Sequence, residues 1–259
     1  TFKDPKVTII AATERDPIDA AALLIFTKST RLMMSPGGLD ATVKKCRDDE
    51  VWMRTELDYM SKTIRSSWEF LDVTYLVENV SRACAQQITR TRQASYAMQS
   101  QRVTNMENAS FSRVGIYENA DLNSGYETAL DHAMEEYDFL VDNGMSLEDA
   151  RGVLPMNIQC NLVEKYNLRT LASLIPARTS YRAQGEYREV ARQMRARLFE
   201  MWPWAELFFR PRNAIAERLL DELAVATDFV IDPDYKSEEV RHKLLTLIAK
   251  VRDQISTAE

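Results

Sequence analysis

The chain has 259 residues, 45% of them apolar and 28% charged, with a formal net charge of −6. That balance describes a globular protein able to bury a substantial core, not a disordered one, and no stretch reaches the ~18 to 20 unbroken apolar residues of a membrane-spanning helix. Two histidines, His132 and His242, both amid charged helical sequence, argue against a His-rich zinc or iron site and against Cys-His catalysis. The seven glycines form neither a phosphate loop nor a dinucleotide fingerprint. Cys46, Cys84 and Cys160 are odd in number and scattered, and the first residues lack a secretion-signal pattern, so a cytoplasmic protein with reduced thiols is expected.

Val7 to Ala12 is β-rich, and Asp16-Pro17 opens a helix through about Thr30 with Pro in its first turn. Ser35-Pro36-Gly37-Gly38 is a turn cluster, followed by a second helical stretch from about Leu39 to Ile64. From Phe70 to Glu78, Leu71, Val73, Tyr75 and Val77 alternate with Asp72, Thr74, Leu76 and Glu78, the pattern of a half-buried strand. Beyond Val80 the period changes. Arg82, Gln86 and Arg90 fall on one helical face, so this segment is expected to begin as a helix and end in a loop around Ser95 to Thr104.

Ser124 to Asn143 reads as a helix closed by Asn143-Gly144. Ser146, with Asp149 after it, opens a short helix that stops at Leu154-Pro155. Ile158 to Glu164 reads as a strand, Asn167 to about Ile175 as a helix and Arg182 to Met201 as a longer one. The remainder, including about Asn213 to Thr227 and Ser237 to Ser256, is helical with heptad-like apolar spacing. No repeat or linker interrupts the pattern, which predicts one α+β domain over 1–259.

Charge is distributed unevenly. Between Asn79 and Glu107 stand Arg82, Arg90, Arg92 and Arg102, with Ser95 and Ser100 among them and no acidic residue. Guanidiniums gathered without local carboxylates repel one another unless an anion joins them. A second acid-free window runs from Lys165 to Gly185 with Arg169, Arg178 and Arg182, Pro176 predicting a helix break before the last two. Arg151 lies just upstream, in the last turn of its helix. Arginine makes bidentate contacts to phosphate, and two such windows predict more than one phosphate group. Isolated helix arginines are ordinarily solvated or paired with a neighbouring Glu; the acid-free windows set this group apart.

The order Arg90-Thr91-Arg92, two residues, Ser95, four residues, Ser100-Gln101-Arg102 resembles the signature of the flavin-dependent thymidylate synthases, usually Arg-His-Arg, two residues, Ser, then several residues to Ser, any residue, Arg. Glu69 and Val80 to Cys84 resemble the family's approach to that signature, with Gln87 three residues before Arg90. Ala150-Arg151-Gly152-Val153-Leu154-Pro155 resembles its Ala-Arg, two residues, Leu-Pro element. Asn167-Leu168-Arg169, Arg178, Ala183-Gln184, Glu186 and Arg188 resemble the helix segment C-terminal to that element.

The resemblance implies an α+β fold with a mixed or antiparallel sheet flanked by helices, and long C-terminal helices. It implies reductive methylation of deoxyuridine monophosphate (dUMP) at C5, with methylenetetrahydrofolate supplying carbon, reduced FAD supplying hydride and NADPH reducing the flavin. Arg90, Thr91, Arg92, Asn167, Arg169 and Arg182 would contact the flavin. Gln87, Ser100, Gln101, Arg102, Arg151 and Arg178 would hold the nucleotide, with Arg178 and Ser100 in the catalytic roles. The family is homotetrameric, with sites shared between subunits.

Departures cluster at the tuning positions. Thr91 stands where the family has His, Phe70 follows Glu69 where His is usual, and Ser173 and Arg182 occupy places of His or another polar flavin contact. Ala97 and Met98 replace polar residues, and Val103 replaces a frequent Tyr. These changes motivate an alternative, a C5 hydroxymethylase of dUMP or deoxycytidine monophosphate on the same scaffold. A third reading is a non-catalytic binder of nucleotides or nucleic acid, but the acidic chain argues against general nucleic-acid affinity. No nucleic-acid, membrane or metal partner is expected.

Overall fold

The computed structural model describes residues 2–31, 37–63, 65–112 and 120–209. The chain divides into two units, Thr1–Phe208 and Phe209–Glu259, and the helices and strands named below belong to the first, apart from the last residue of the final turn. The expected C-terminal helices at about 213–227 and 237–256 lie outside the described residues.

Strand β1 (Phe2–Lys3) precedes β2 (Lys6–Ala12). Helix α1 (Pro17–Arg31) starts at Pro17, with Asp16 Oδ1 accepting from the amides of Ile18 (2.9 Å) and Asp19 (3.0 Å). Helices α2 (Gly38–Asp48) and α3 (Glu50–Thr63) replace the single stretch expected from Leu39 to Ile64. The break falls at Asp49, whose non-helical ψ of 86° ends α2 and whose Oδ1 accepts from Trp52 N at 2.8 Å to start α3.

A 3₁₀ turn (Arg65–Phe70) leads to β3 (Asp72–Ser81), and a bulge at its far end puts Asn79 at φ 60°. Asn tolerates that left-handed conformation better than most side chains. Past the bulge Ser81, the last strand residue and still paired with Gln159, accepts from Cys84 N at 2.9 Å and so caps α4 (Arg82–Ile88). Then come β4 (Ser95–Met98) and β5 (Phe111–Ser112). Helix α5 (Ala120–Asp142) ends at Gly144 (φ 88°), where Met145 N reaches Leu140 O at 2.9 Å and Gly144 N reaches Val141 O at 3.0 Å, a Schellman closure. Next are α6 (Leu147–Ala150), a 3₁₀ turn (Arg151–Val153), β6 (Gln159–Asn167), α7 (Leu168–Thr179), α8 (Gly185–Met201) and a last 3₁₀ turn (Pro203–Phe209).

The main sheet is antiparallel, in the order β2-β3-β6-β4, and β1 pairs with β5 in parallel. The expected α+β class, with a sheet flanked by helices, is present. On one face of the sheet β3 buries Val73, Tyr75 and Val77, and β6 buries Leu162, Glu164 and Tyr166. Helix α8 closes against β2, α4 and α7, burying Tyr187, Val190, Ala191, Met194 and Leu198 at helical spacing; each large apolar side chain so placed contributes about 1.5–3 kcal/mol. A smaller core of Met106, Phe111, Leu130, Tyr137, Ala150 and Ile158 ties α5 and α6 to the strand ends.

Candidate functional site

The first basic window is not one helical face. Helix α4 ends at Ile88 and the chain turns, Arg90 N bonding Gln87 O (3.3 Å) and Thr91 N bonding Ile88 O (3.2 Å). Arg90 therefore sits on a turn with Arg92, both exposed. Ser95 to Met98, expected as loop, is the edge strand β4. Of its four residues only Tyr96 favours a strand, so the pairing with β6 supplies what local sequence does not.

Three contacts bring the second basic window to the first. Gln87 Nε2 donates to Gln184 Oε1 at 3.0 Å, and Thr170 Oγ1 donates to Gln93 O at 3.3 Å. Tyr187 lies under the guanidinium of Arg178, 5.0 Å from ring centroid to Arg178 Cζ, and close enough to Thr91 for that side chain to favour its ionised form. Arg178 sits on α7, which continues through Pro176 to Thr179 and does not break there. Pro176 removes the hydrogen bond its N–H would make back to Ala172 O, yet the helix runs on through it. Arg182 lies between α7 and α8, exposed, with Nε on the Tyr181 hydroxyl at 3.1 Å, which raises its pKa. It shares no helical face with Arg178.

A second group forms around Glu148. Its carboxylate accepts from Arg102 Nε at 2.9 Å, and its carbonyl from Arg151 Nε at 3.0 Å. Both guanidiniums thus meet at one residue. Ser100 Oγ accepts from Arg102 N at 3.1 Å, and the buried Gln101 side chain leaves Nε2 without a partner.

The windows are less free of acid in space than in sequence. Glu148 neutralises Arg102, and Glu69 pairs with Arg169 at 2.5 Å. Both carboxylates lie outside the windows, so a one-dimensional reading missed these pairings. Among the described residues, Arg82, Arg90, Arg92, Arg151, Arg178 and Arg182 have no ion pair with a carboxylate. Asn167 caps α7, accepting from Thr170 N at 2.8 Å, which leaves its amide NH₂ available. A cavity of about 300 Å³, walled by Asn79, Gln99, Asn108, Gln159 and Asn161 among others, adjoins the loop before Ser100; no arginine lines it.

A family model described as thymidylate synthase complementing protein matches residues 10–204. The chain belongs to that family. It is 31% identical over 188 residues to the flavin-dependent thymidylate synthase of Geobacter sulfurreducens, covering 71% of this chain and 79% of the relative. It is 28% identical over 214 residues to that of Sulfurisphaera tokodaii, covering 80% of each. Against the flavin-dependent thymidylate synthase of Thermococcus kodakarensis it is 35% identical over 153 residues, 57% of this chain and 61% of the relative. At these identities it is a divergent member of the flavin-dependent thymidylate synthase family.

The family motif overlooks what lies beneath the arginine turn. Glu164 is fully buried on β6, and its Oε2 accepts from the Tyr166 hydroxyl at 2.6 Å. Burial pushes the Glu164 carboxyl up to about 7 against the opposing pull of that hydrogen bond. A signal existed: Leu162, Glu164 and Tyr166 share one face of an alternating strand, so a carboxyl stands at a core position. The thiols are buried too. Desolvation pushes Cys46 and Cys160 up to about 11 and Cys84 further, so none is poised as a nucleophile.

Proposed function

We propose that this chain is an FAD-dependent thymidylate synthase that methylates dUMP at C5, taking the carbon from methylenetetrahydrofolate and its reducing power from NADPH. The observation that carries the reading is that, in an acidic chain, the arginines of the two windows and Arg151 stay largely without carboxylate partners among the described residues: Arg82, Arg90, Arg92, Arg151, Arg178 and Arg182 have none, and only Arg102 and Arg169 are paired. Contacts between the two windows hold Arg178 near the Arg90 turn. The names of the relatives support a flavin. The donor set fits one: FAD carries a pyrophosphate, for which exposed, charged, planar donors are suited.

In this reading Arg90, Thr91, Arg92, Asn167, Arg169 and Arg182 bind the cofactor. Asn167 offers the amide NH₂ left over from capping α7, and Arg169 keeps Glu69 as counter-ion until an anion displaces it. Gln87, Ser100, Gln101, Arg102 and Arg151 bind the nucleotide, Arg102 exchanging Glu148 for phosphate and the orphaned Gln101 Nε2 supplying a further donor. Arg178 stabilises negative charge that develops on the pyrimidine carbonyl side, and Ser100 hydrogen-bonds the ligand beside it. FAD held there and reduced by NADPH would supply the hydride that completes the methyl group. The chain itself contributes orientation and fixed positive charge. A homotetramer would bring the Arg102–Arg151 group of one subunit towards the Arg90–Arg178 group of another.

Mass spectrometry of the nucleotide after separate incubations with dUMP and with deoxycytidine monophosphate (dCMP), each with methylenetetrahydrofolate, FAD and NADPH, tests the proposal. A gain of CH₂ is expected. A gain of CH₂O would instead establish the hydroxymethylase, the reading favoured by Ala97 and Met98 in β4, and unchanged dUMP and dCMP would overturn both.

A further inference from the structure

The turn that carries Arg90 is tied by a chain of hydroxyls to the buried carboxyl of Glu164. In the sheet register Glu164 lies between Tyr75 of β3 and Tyr96 of β4. Its Oε2 accepts from Tyr166, whose oxygen is 3.2 Å from that of Tyr96. The Tyr96 hydroxyl in turn reaches Thr91 O at 2.9 Å and Ile88 O at 3.0 Å, the two ends of the turn. Glu164 Oε1 has no partner, nor do the hydroxyls of Tyr75 and Tyr187 meet one at hydrogen-bonding geometry.

Each hydroxyl in this chain owns a single proton, so the state of the carboxyl decides the direction of donation. An ionised Glu164 only accepts. It accepts the hydrogen bond of the Tyr166 hydroxyl and leaves the Tyr166 oxygen as an acceptor that competes with the turn carbonyls for the hydrogen bond of Tyr96. A protonated Glu164 can donate to Tyr166; Tyr166 then donates to Tyr96, and the Tyr96 proton has only the carbonyls of Ile88 and Thr91 left. No atom moves far, yet the turn gains a full hydrogen bond.

We propose that Glu164 is a positioning residue that, through Tyr166 and Tyr96, sets how firmly the 88–91 turn holds Arg90 and Arg92. The link to cofactor binding rests on the function proposed above; the effect on the turn does not. The groups that face Glu164 are Tyr75 on β3, Tyr96 on β4, Tyr166 on its own strand, Cys84 on α4, and Tyr187 on α8 with Arg178 of α7 over its ring. Glu186, held by the hydroxyls of Ser81 and Ser112 at 2.5 Å each, acts on Cys84 from the same side. Burial drives the phenols and the thiol upward, away from neutrality, and brings the Glu164 carboxyl to about 7. Within that set the carboxyl is the group moved into the neutral range.

Amide hydrogen exchange of the free full-length protein tests this between pH 6 and pH 8.5, read at Arg90 and Thr91, whose amides close the turn. After correction for intrinsic exchange, wild-type protection should fall about fivefold as pH rises through 7, the equivalent of one hydrogen bond worth ~1 kcal/mol. Glu164→Gln, which cannot ionise, should lack the step. Tyr96→Phe should lack it and be less protected at pH 6. FAD affinity, followed by flavin fluorescence, should show the same step in wild type and none in Glu164→Gln. Wild-type exchange without a step overturns the inference even if neither variant folds, as does an identical step in Glu164→Gln. A step in exchange with no FAD binding at any pH would leave the turn latch standing and refute the cofactor assignment instead.

Discussion

Replacing Glu164 with Gln changes the pH dependence of stability by an amount set by the burial of one carboxyl. In the unfolded chain this group titrates near the ordinary 4.5; in the fold it titrates at about 7. The native state therefore binds the proton more tightly, and stability falls with rising pH wherever the native chain holds more protons than the unfolded one. Stability from this group is fully present below about 4.5, declines between 4.5 and 7, and is lost above. The difference amounts to about 3 kcal/mol at 1.36 kcal/mol per pH unit. Gln cannot titrate, so the gap between wild type and Glu164→Gln should shift by about 3 kcal/mol in favour of the variant between pH 4.5 and pH 8. Any fixed penalty from the new NH₂ group cancels in that comparison. Urea denaturation of both proteins at the two pH values measures it. Stability curves that run parallel across this range would refute the reasoning.

Three further outcomes can be checked. Glu148→Gln removes the counter-ion of Arg102; both side chains are well exposed (63% and 48%), so stability should change by less than ~1 kcal/mol, while dUMP should bind about fivefold tighter in an equilibrium titration. Unchanged or weaker binding would show that Arg102 does not serve the phosphate. Ser81→Ala removes the cap of α4 and a hydroxyl that Glu186 accepts from, and should lower the urea-derived stability by about 1–2 kcal/mol, whereas an unshifted midpoint would contradict the cap. Cys46, Cys84 and Cys160 should resist iodoacetamide at pH 8 until the protein is unfolded, and rapid native labelling would contradict their burial.

What the sequence disclosed was local. The alternation from Leu71 to Val77 located β3, Asn143-Gly144 located the end of α5, and the spacing of arginines and serines located the family motif. What it withheld depends on contacts between distant residues. Strand β4 exists because β6 is beside it, and the pairing of Arg102 with Glu148 joins segments 46 residues apart. The helix start at Asp49 was present as a possible cap within Asp48-Asp49-Glu50, but the helical pattern on either side masked it. Pro176 misled for the opposite reason, a strong local rule that the fold overrode, since α7 continues through it to Thr179. The Glu164 chain of hydroxyls required both the strand register and the fold of the 88–91 turn, neither of which a motif contains.

The visible absorption spectrum of the purified full-length protein, recorded with and without added FAD, tests the central claim that these arginines form a flavin and nucleotide site. A yellow protein whose flavin band shifts on binding, with FAD affinity falling at least tenfold in Arg90→Ala, is the predicted result. A colourless protein that leaves the spectrum of added FAD unchanged would contradict it.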